Sequence, residues 1–341
     1  MSLEILWFWL IAVLWAGYFV LEGFDFGVGM LLAYLPRTER ERGTMFETIG
    51  PVWDGNEVWL VVAAGATFAA FPAWYATMLS AFYLALLLLL VLLIVRVVSF
   101  EWRGKSDHPR WRATWRWANT IGSVGAPFIW GVALANLVHG LPLNSDGHFT
   151  GNVLDLFSAY TVLAGVAVVA LFALHGATFL VLRTGGELCA RATATARRLC
   201  IPAAIVVAGF LAATVAVAVD RNDRDVLPAV VPAALGGAAL VAVVLLVLGR
   251  RSGWAFVATA LAAVLTVATI FTGLYPRVMV SHPNFTNSLT ISGAAAAHYA
   301  LSVITVVGAV FLPVVLLYQG WSYHVLRARL SDRPSAGVES A

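Results

Sequence analysis

The sequence predicts an all-α integral membrane protein of nine transmembrane helices, and three observations carry that prediction. Of its 341 residues 61% are hydrophobic and only 11% charged, where soluble domains average near half apolar and a quarter charged. Nine apolar windows of about 20 residues, the length needed to cross roughly 30 Å of hydrocarbon as helix, alternate with short polar joints. Lys and Arg concentrate on every second joint, the mark of loops retained in the cytoplasm.

The windows run over 5–34, 51–71, 75–101, 114–137, 155–182, 200–219, 227–248, 254–275 and 297–325. In the first, Trp7, Trp9 and Trp15 at one end and Tyr34 at the other fit an interfacial aromatic pattern. Met1-Ser2-Leu3-Glu4 carries an acid where a signal peptide carries basic residues, and no A-x-A cleavage pattern follows, so the segment reads as an uncleaved first helix. The second window opens on Pro51, a residue suited to a first helical position. Phe71-Pro72-Ala73-Trp74, Ala126-Pro127 and Leu312-Pro313 mark helix ends or kinks.

Of the 21 Lys and Arg, 17 fall on one side: Arg37, Arg40, Arg42, Arg103, Lys105, Arg110, Arg112, Arg116, Arg183, Arg191, Arg197, Arg198, Arg250, Arg251, Arg327, Arg329 and Arg333. Three fall on the other, Arg221, Arg224 and Arg277. This asymmetry places the N-terminus outside and the C-terminus in the cytoplasm. The chain then divides into one nine-helix transmembrane domain, 1–330, and a polar cytoplasmic tail, 331–341. The net charge of +3 reads as topology, not as nucleic-acid binding.

Cys189 and Cys200 lie eleven apart with no CxxC and no histidine cluster, so neither a disulfide framework nor a metal site is supported. There is no P-loop, no GxGxxG after a strand, no HExxH and no CxxCH.

Ionisable residues within spans are costly and mark function by default. Glu22 and Asp25 share a face of the first helix, interleaved with Gly23, Gly27 and Gly29. Gly23 and Gly27 form a small-xxx-small pair that lets a neighbouring helix approach. One reading makes the glycines packing residues and ties the acids to a nearby Arg; the other puts Asp25 on a proton or ion route. The second helix opens with Asp54, Asn56 and Glu57 between Trp53 and Trp59. Its dipole favours acids in the first turn by roughly 0.3–1 kcal/mol, but that does not account for all three. Arg96, within the third span, reads as snorkelling to the interface, or else as a counter-ion for Asp25 or Asp54. Among the histidines, His108 and His148 fall in loops, His139 and His298 near outer helix ends, His282 in an outer loop and His324 at an inner end. His175 alone lies clearly at membrane depth, with only Met30 as a poorly matched second ligand, so haem ligation is not expected.

Taken together, Glu22-Gly23-Phe24-Asp25-Phe26-Gly27-Val28-Gly29, Trp53-Asp54-Gly55-Asn56-Glu57-Val58-Trp59, Gly131-Val132-Ala133 with Asn136-Leu137, and Gly176-Ala177-Thr178 leading to Arg183-Thr184-x-Gly186-Glu187-Leu188 resemble subunit II of the cytochrome bd quinol oxidases. Asn287-Ser288-Leu289-Thr290 and Trp321-x-Tyr323 extend the resemblance over essentially the whole chain. The family pattern often has Asp where this chain has Glu22, and Gln where it has Glu57; both changes keep a polar group.

The resemblance implies two four-helix bundles plus one peripheral helix, in the bacterial cytoplasmic membrane. It implies an aerobic respiratory complex that oxidises quinol, reduces dioxygen to water and contributes to the proton motive force. The two b haems and one d haem belong to the partner, subunit I, and this chain is expected to bind no cofactor and not to catalyse alone. It leaves room for a structural quinone and small accessory subunits. Carried over by position, Asp54 resembles an acid feeding protons from the cytoplasm, Glu57 adds a second acid, Asp25 is a further proton-path or structural acid, and Trp59 resembles a residue near the mouth of an oxygen channel. The competing readings are a proton-coupled secondary transporter, which would use a midplane site at broken, repeat-related helices, and a haem-binding cytochrome tested by His175.

Overall fold

The computed structural model describes residues 2–222, 225–326 and 328–330. Arg224, Arg327, Arg333 and the expected tail at 331–341 lie outside the described residues.

The chain opens with α1 (Leu3–Leu31), a 29-residue apolar helix. A short helix that the windows miss, α2 (Glu39–Ile49), lies in the first basic joint. It is started by a capping box in which the Thr38 hydroxyl accepts from the Glu41 N–H and the Glu41 carboxylate accepts from the Thr38 N–H. Next come α3 (Trp53–Ala70) and α4 (Pro72–Ala81), with Pro72 at the first position of α4. The helix restarts as α5 (Tyr83–Trp102) after a break at Phe82, whose backbone leaves the helical region while its ring is 1% exposed. The third expected span is therefore two helices.

The helix α6 (Pro109–His139) starts on a proline, with His108 Nδ1 accepting from the Arg110 N–H at 3.2 Å, and ends at Gly140, whose φ is +95°. Ser158 caps α7 (Ala159–Arg183). The 37-residue α8 (Gly186–Asn222) starts fourteen residues before the apolar window at 200, because Ala-rich sequence around Arg191 and Arg197 continues the helix past its apolar part. The pair α9 (Val226–Leu248) and α10 (Ser252–Leu274) matches expectation. The joint near 276–296 is ordered by antiparallel β1 (Arg277–Met279) and β2 (Leu289–Thr290), then α11 (Ile291–Ala294). The last helix is α12 (His298–Val325). Pro127, Pro202, Pro232 and Pro313 sit inside continuous helices.

Among the described residues eight helices are long and apolar enough to cross a membrane; α3, at 18 residues, is not one of them. The packing is organised about α1, which touches α3, α6, α7 and α10. The helices α7, α8, α9 and α10 pack on one another in sequence, and α10 returns to α7. By contrast α12 lies at the edge against α3 and α1, and large apolar residues such as Phe311, Val314 and Leu317 are exposed along it. On a membrane helix such a face is solvated by lipid or a neighbouring chain.

Two expectations about aromatic residues change. Trp7 and Trp15 are 8% and 2% exposed, so they are core residues and not an interfacial belt. Trp7 Nε1 donates to Thr305 Oγ1 of α12 at 2.8 Å, and Trp15 meets Trp130 edge-on at 4.7 Å. A buried indole needs a hydrogen-bond acceptor, and Thr305 supplies one for Trp7. Trp9 is half-buried, and Tyr34, 73% exposed, stays at the surface.

At Gly27 and Gly176, α1 and α7 meet backbone to backbone. A Cβ on Gly27 would come within 2.0 Å of the Phe172 carbonyl oxygen and 2.7 Å of Gly176 Cα, and one on Gly176 would meet the Gly27 backbone at 2.3 Å. Lipid offers no hydrophobic drive between helices, so contact of this kind carries much of their association. Gly27→Val should force the two backbones apart at a cost of at least about 1–3 kcal/mol, read as a lower unfolding temperature of the purified protein. The surface helix α2 is tied down differently. Arg191 of α8 forms an ion pair with Glu41 and donates from Nε to the Leu35 carbonyl at 3.1 Å. Burial works to raise Glu41, but hydrogen bonds from the Arg37 N–H, Arg191 and the Thr38 N–H hold its carboxyl below the ordinary glutamate value. That stabilisation is complete above the ordinary value and drains away as pH falls through the lower folded one. The unfolding-temperature gap between the protein and Glu41→Gln should therefore be widest near pH 7 and close on acidification.

Candidate functional site

Toward the C-terminal end of α1, charge is enclosed at a depth where lipid would surround an isolated helix. Glu22, Asp25 and Arg96 are all 0% exposed. Arg96 Nη1 lies 2.8 Å from Glu22 Oε1, an ion contact in which the N–H groups are not aligned for a hydrogen bond. Its guanidinium lies 4.5 Å from the Phe26 ring centroid and 5.6 Å from that of Phe100, positions that favour a cation. The snorkelling expectation for Arg96 is overturned. Its face of α5 is covered by α1 and by α6, where a Cβ on Gly122 would lie 2.8 Å from Arg96 Cβ, so the side chain has no path to the interface and turns inward to Glu22.

The second acid is held from α3. Asn56 Nδ2 donates to Asp25 Oδ2 at 2.7 Å and to the Leu21 carbonyl at 3.2 Å. Asn56 Oδ1 accepts from Tyr323 Oη at 2.6 Å and Gln319 Nε2 at 3.1 Å, both on α12. One fully buried amide thus joins three helices and spends all its hydrogen-bonding capacity doing so. Among the described residues Asp25 Oδ1 and both Glu22 oxygens have no hydrogen-bond partner. Below Arg96, Asn119 Nδ2 donates to Ser99 Oγ at 2.8 Å and to the Arg96 carbonyl at 3.3 Å, and Ser99 Oγ donates to the same carbonyl.

The other expected residues are placed as follows. Asp54 is exposed on α3 and Glu57 half-buried one turn on. Asp54 acts electrostatically on Glu57, and Glu57 on Glu22, Asp25 and Arg96. The acids therefore form a series from surface to interior. Trp59 is 8% exposed, its ring filling the notch at Gly17 of α1, where a Cβ would lie 2.3 Å from it. A Cβ on Gly23 would strike the Phe172 ring at 2.8 Å, and one on Gly29 would strike Ser123 Oγ at 2.0 Å. Gln319 and Tyr323 escape sequence reading as site residues. Their signal is an amide and a phenol in the last turns of an apolar helix, with Tyr323 also part of the Trp321-x-Tyr323 motif.

These residues do not fit a haem. His175 Nδ1 lies 2.7 Å from Thr259 Oγ1, Nε2 lies 3.1 Å from the Val20 carbonyl, and the ring stacks on Phe256 at 4.6 Å. Both nitrogens already have protein partners, and Met30 is packed in the core. Among the described residues no group of three or more His, Cys, Asp or Glu could hold a metal ion.

Arg96→Gln should leave Glu22 as a buried acid without a counter-charge and destabilise the protein by about 3–5 kcal/mol, the usual cost of breaking a buried pair from one side. Glu22→Gln combined with Arg96→Gln should recover most of that loss, as read by thermal unfolding of the two variants.

Comparison with known proteins places this arrangement in a lineage. Residues 3–326 match the model of the family described as cytochrome bd terminal oxidase subunit II. The chain is 41% identical over 332 residues to cytochrome bd ubiquinol oxidase subunit 2 of Bacillus subtilis, covering 97% of this chain and 98% of the relative. It is 35% identical to cytochrome bd-I ubiquinol oxidase subunit 2 of Escherichia coli K12, covering 96% and 95% respectively. The fold resembles a chain of the bd oxidase of Geobacillus thermodenitrificans, with a TM-score of 0.72 at 19% identity over 96% of this chain and 98% of that one. With the match running from the start of α1 to the end of α12, the chain belongs to the cytochrome bd terminal oxidase subunit II family.

Proposed function

We propose that this chain is the haem-free second subunit of a bd-type quinol:dioxygen oxidoreductase in the bacterial cytoplasmic membrane, paired with a haem-bearing subunit I. The observation that carries the reading is family membership over residues 3–326, together with relatives named as ubiquinol oxidase subunits along their whole length. In this reading α3 completes nine crossings, α4 and α5 forming one of them. The N-terminus faces outward and the basic joints face the cytoplasm. The engaged nitrogens of His175 support leaving the haems, and the electron transfer and oxygen reduction they supply, to the partner.

Within that assignment this chain handles protons and gas. Reduction of dioxygen to two waters consumes four protons. If they arrive from the cytoplasm while quinol releases its own outside, charge is separated across the membrane without a pump. Exposed Asp54 takes up the proton at the head of α3, and half-buried Glu57 follows it toward the interior. Asp25, oriented by Asn56, and Glu22, held by Arg96, form the enclosed end of the series. Trp59, set against Gly17 with Ala63 and Ala66 one and two turns on along α3, stands beside small residues that suit passage of an apolar gas.

Purification through a tag on this chain should bring down a second membrane subunit with b- and d-type absorption bands in the reduced-minus-oxidised spectrum, and oxygen consumption on addition of quinol. A chain that emerges alone and colourless would overturn the oxidase reading and favour a proton-coupled transporter. Asp54→Asn should preserve the haem spectrum while slowing oxygen consumption by about 100-fold or more, the usual scale for a lost proton-transfer group. Unchanged turnover with intact coupling would remove Asp54 from the path.

A further inference from the structure

A cavity of about 680 Å³ opens between α7, α8 and the α9–α10 turn, far in sequence from the acid series. Its rim carries Arg197, Arg198, Arg250 and Arg329, and among the described residues no carboxylate lines it. Among the described residues none of these four arginines is in a salt bridge; Arg197 and Arg329 donate to the carbonyls of Leu248 and Leu182. Arg197 Nε is buried without a hydrogen-bond partner. The walls below the rim are apolar, formed by side chains such as Val181, Ala196, Leu246 and Val247.

Two further observations point to an anion at the rim. The end of α9 is closed by a Schellman turn, with the Arg251 N–H bonded to the Leu246 carbonyl and the Arg250 N–H to the Val247 carbonyl. The left-handed position of that turn normally takes glycine, but here Arg250 occupies it at φ +59°. Gly249 stands one residue too early to relieve it. Strain of this kind persists where the side chain is needed. Beside it, α10 begins without a side-chain cap on its first turn, adding the partial positive charge of a helix N-terminus to the same rim, where Ser252 lines the cavity.

We propose that this cavity is a binding site for an anionic phospholipid. The phosphate sits among Arg197, Arg198 and Arg250 at the start of α10. The first carbons of the acyl chains occupy the apolar walls, and the remainder runs along the outward faces of α8 and α9, where Ile201, Ile205, Val241 and Leu245 are exposed. A basic rim above an apolar cleft between membrane helices, on the side rich in arginine, matches such a lipid in both charge and polarity. Trp254, 67% exposed beside it, suits the headgroup level. A soluble phosphate compound would use the rim and leave the cleft without a role. The site needs a membrane protein but not the oxidase assignment, and it stands or falls separately from the proton path.

The test uses the intact complex, delipidated in mild detergent and titrated with phosphatidylglycerol or phosphatidylcholine, with bound lipid counted by native mass spectrometry. Each basic residue near an anionic surface contributes roughly a factor of five. Arg198→Gln with Arg250→Gln should therefore lower phosphatidylglycerol retention by about tenfold or more and leave phosphatidylcholine unchanged. Arg250→Gly, which relieves the turn and so preserves the fold, should lower retention alone, and Arg198→Lys with Arg250→Lys should keep it. Equal retention of the two lipids, or no effect of either arginine, overturns the proposal. If inorganic phosphate binds with the same sensitivity and displaces the lipid, the acyl chains contribute nothing and the assignment falls. If lipid binds only after deletion of residues 331–341, those residues, with Asp332 and Glu339, are the occupant and the proposal falls; unchanged binding after deletion upholds it.

Discussion

A guanidinium and two carboxylates enclosed at membrane depth set terms that the surrounding helices have to meet. Arg96 on α5 and Glu22 on α1 neutralise one another at 2.8 Å, while Phe26 and Phe100 present ring faces to the cation. Among the described residues Asp25 has no cation of its own in contact; it is held by Asn56 from α3, which is held in turn by Gln319 and Tyr323 from α12. Each of these contacts fails if a helix slides by one residue or rotates by a third of a turn. Apolar packing alone tolerates many registers, because Leu against Leu is nearly as good one turn along. Buried pairs add little net stability over an apolar replacement; here they specify which residues of four helices meet.

The same helix carries the opposite kind of contact a few residues on. At Gly27 the backbones of α1 and α7 touch, while Gly23 and Gly29 leave room for the Phe172 ring of α7 and the Ser123 hydroxyl of α6. These two faces explain why α1 is the hub. Its glycine face sets the distance to α7, and its acidic face sets the alignment of α3 and α5. Enclosure of charge and close helix packing are therefore written into one eight-residue stretch, Glu22 to Gly29.

Much of this is legible in the amino-acid sequence. Helical class, the approximate spans and the residues of the acid series follow from hydropathy, spacing and the cost of charge in lipid. What is not legible is partnership across long sequence separations. Arg96 stands six residues from the end of α5, where snorkelling is the usual outcome, and only the proximity of α1 and α6 closes its way out. Trp7 and Trp15 have the composition and position of interfacial residues, yet α12 and α6 cover them. Asn56 announces itself between two acids, but Gln319 and Tyr323 lie more than 260 residues away. The break at Phe82 carries neither Gly nor Pro to signal it, and α2 is too polar and too short to register in a search for membrane spans.

The hold that α12 exerts on Asn56 has a consequence for biosynthesis. Membrane segments leave the ribosome in order, and α12 is the last of those among the described residues. Until residues 319 and 323 arrive, the Asn56 carbonyl has neither of its side-chain donors and α3 presents a polar seam to the bilayer. The hydroxyl that receives the Trp7 indole, on Thr305, arrives equally late. Closure of the molecule thus waits on the final helix, which latches the first and third ones made, and a chain halted before that point displays its incompleteness as exposed polarity in lipid.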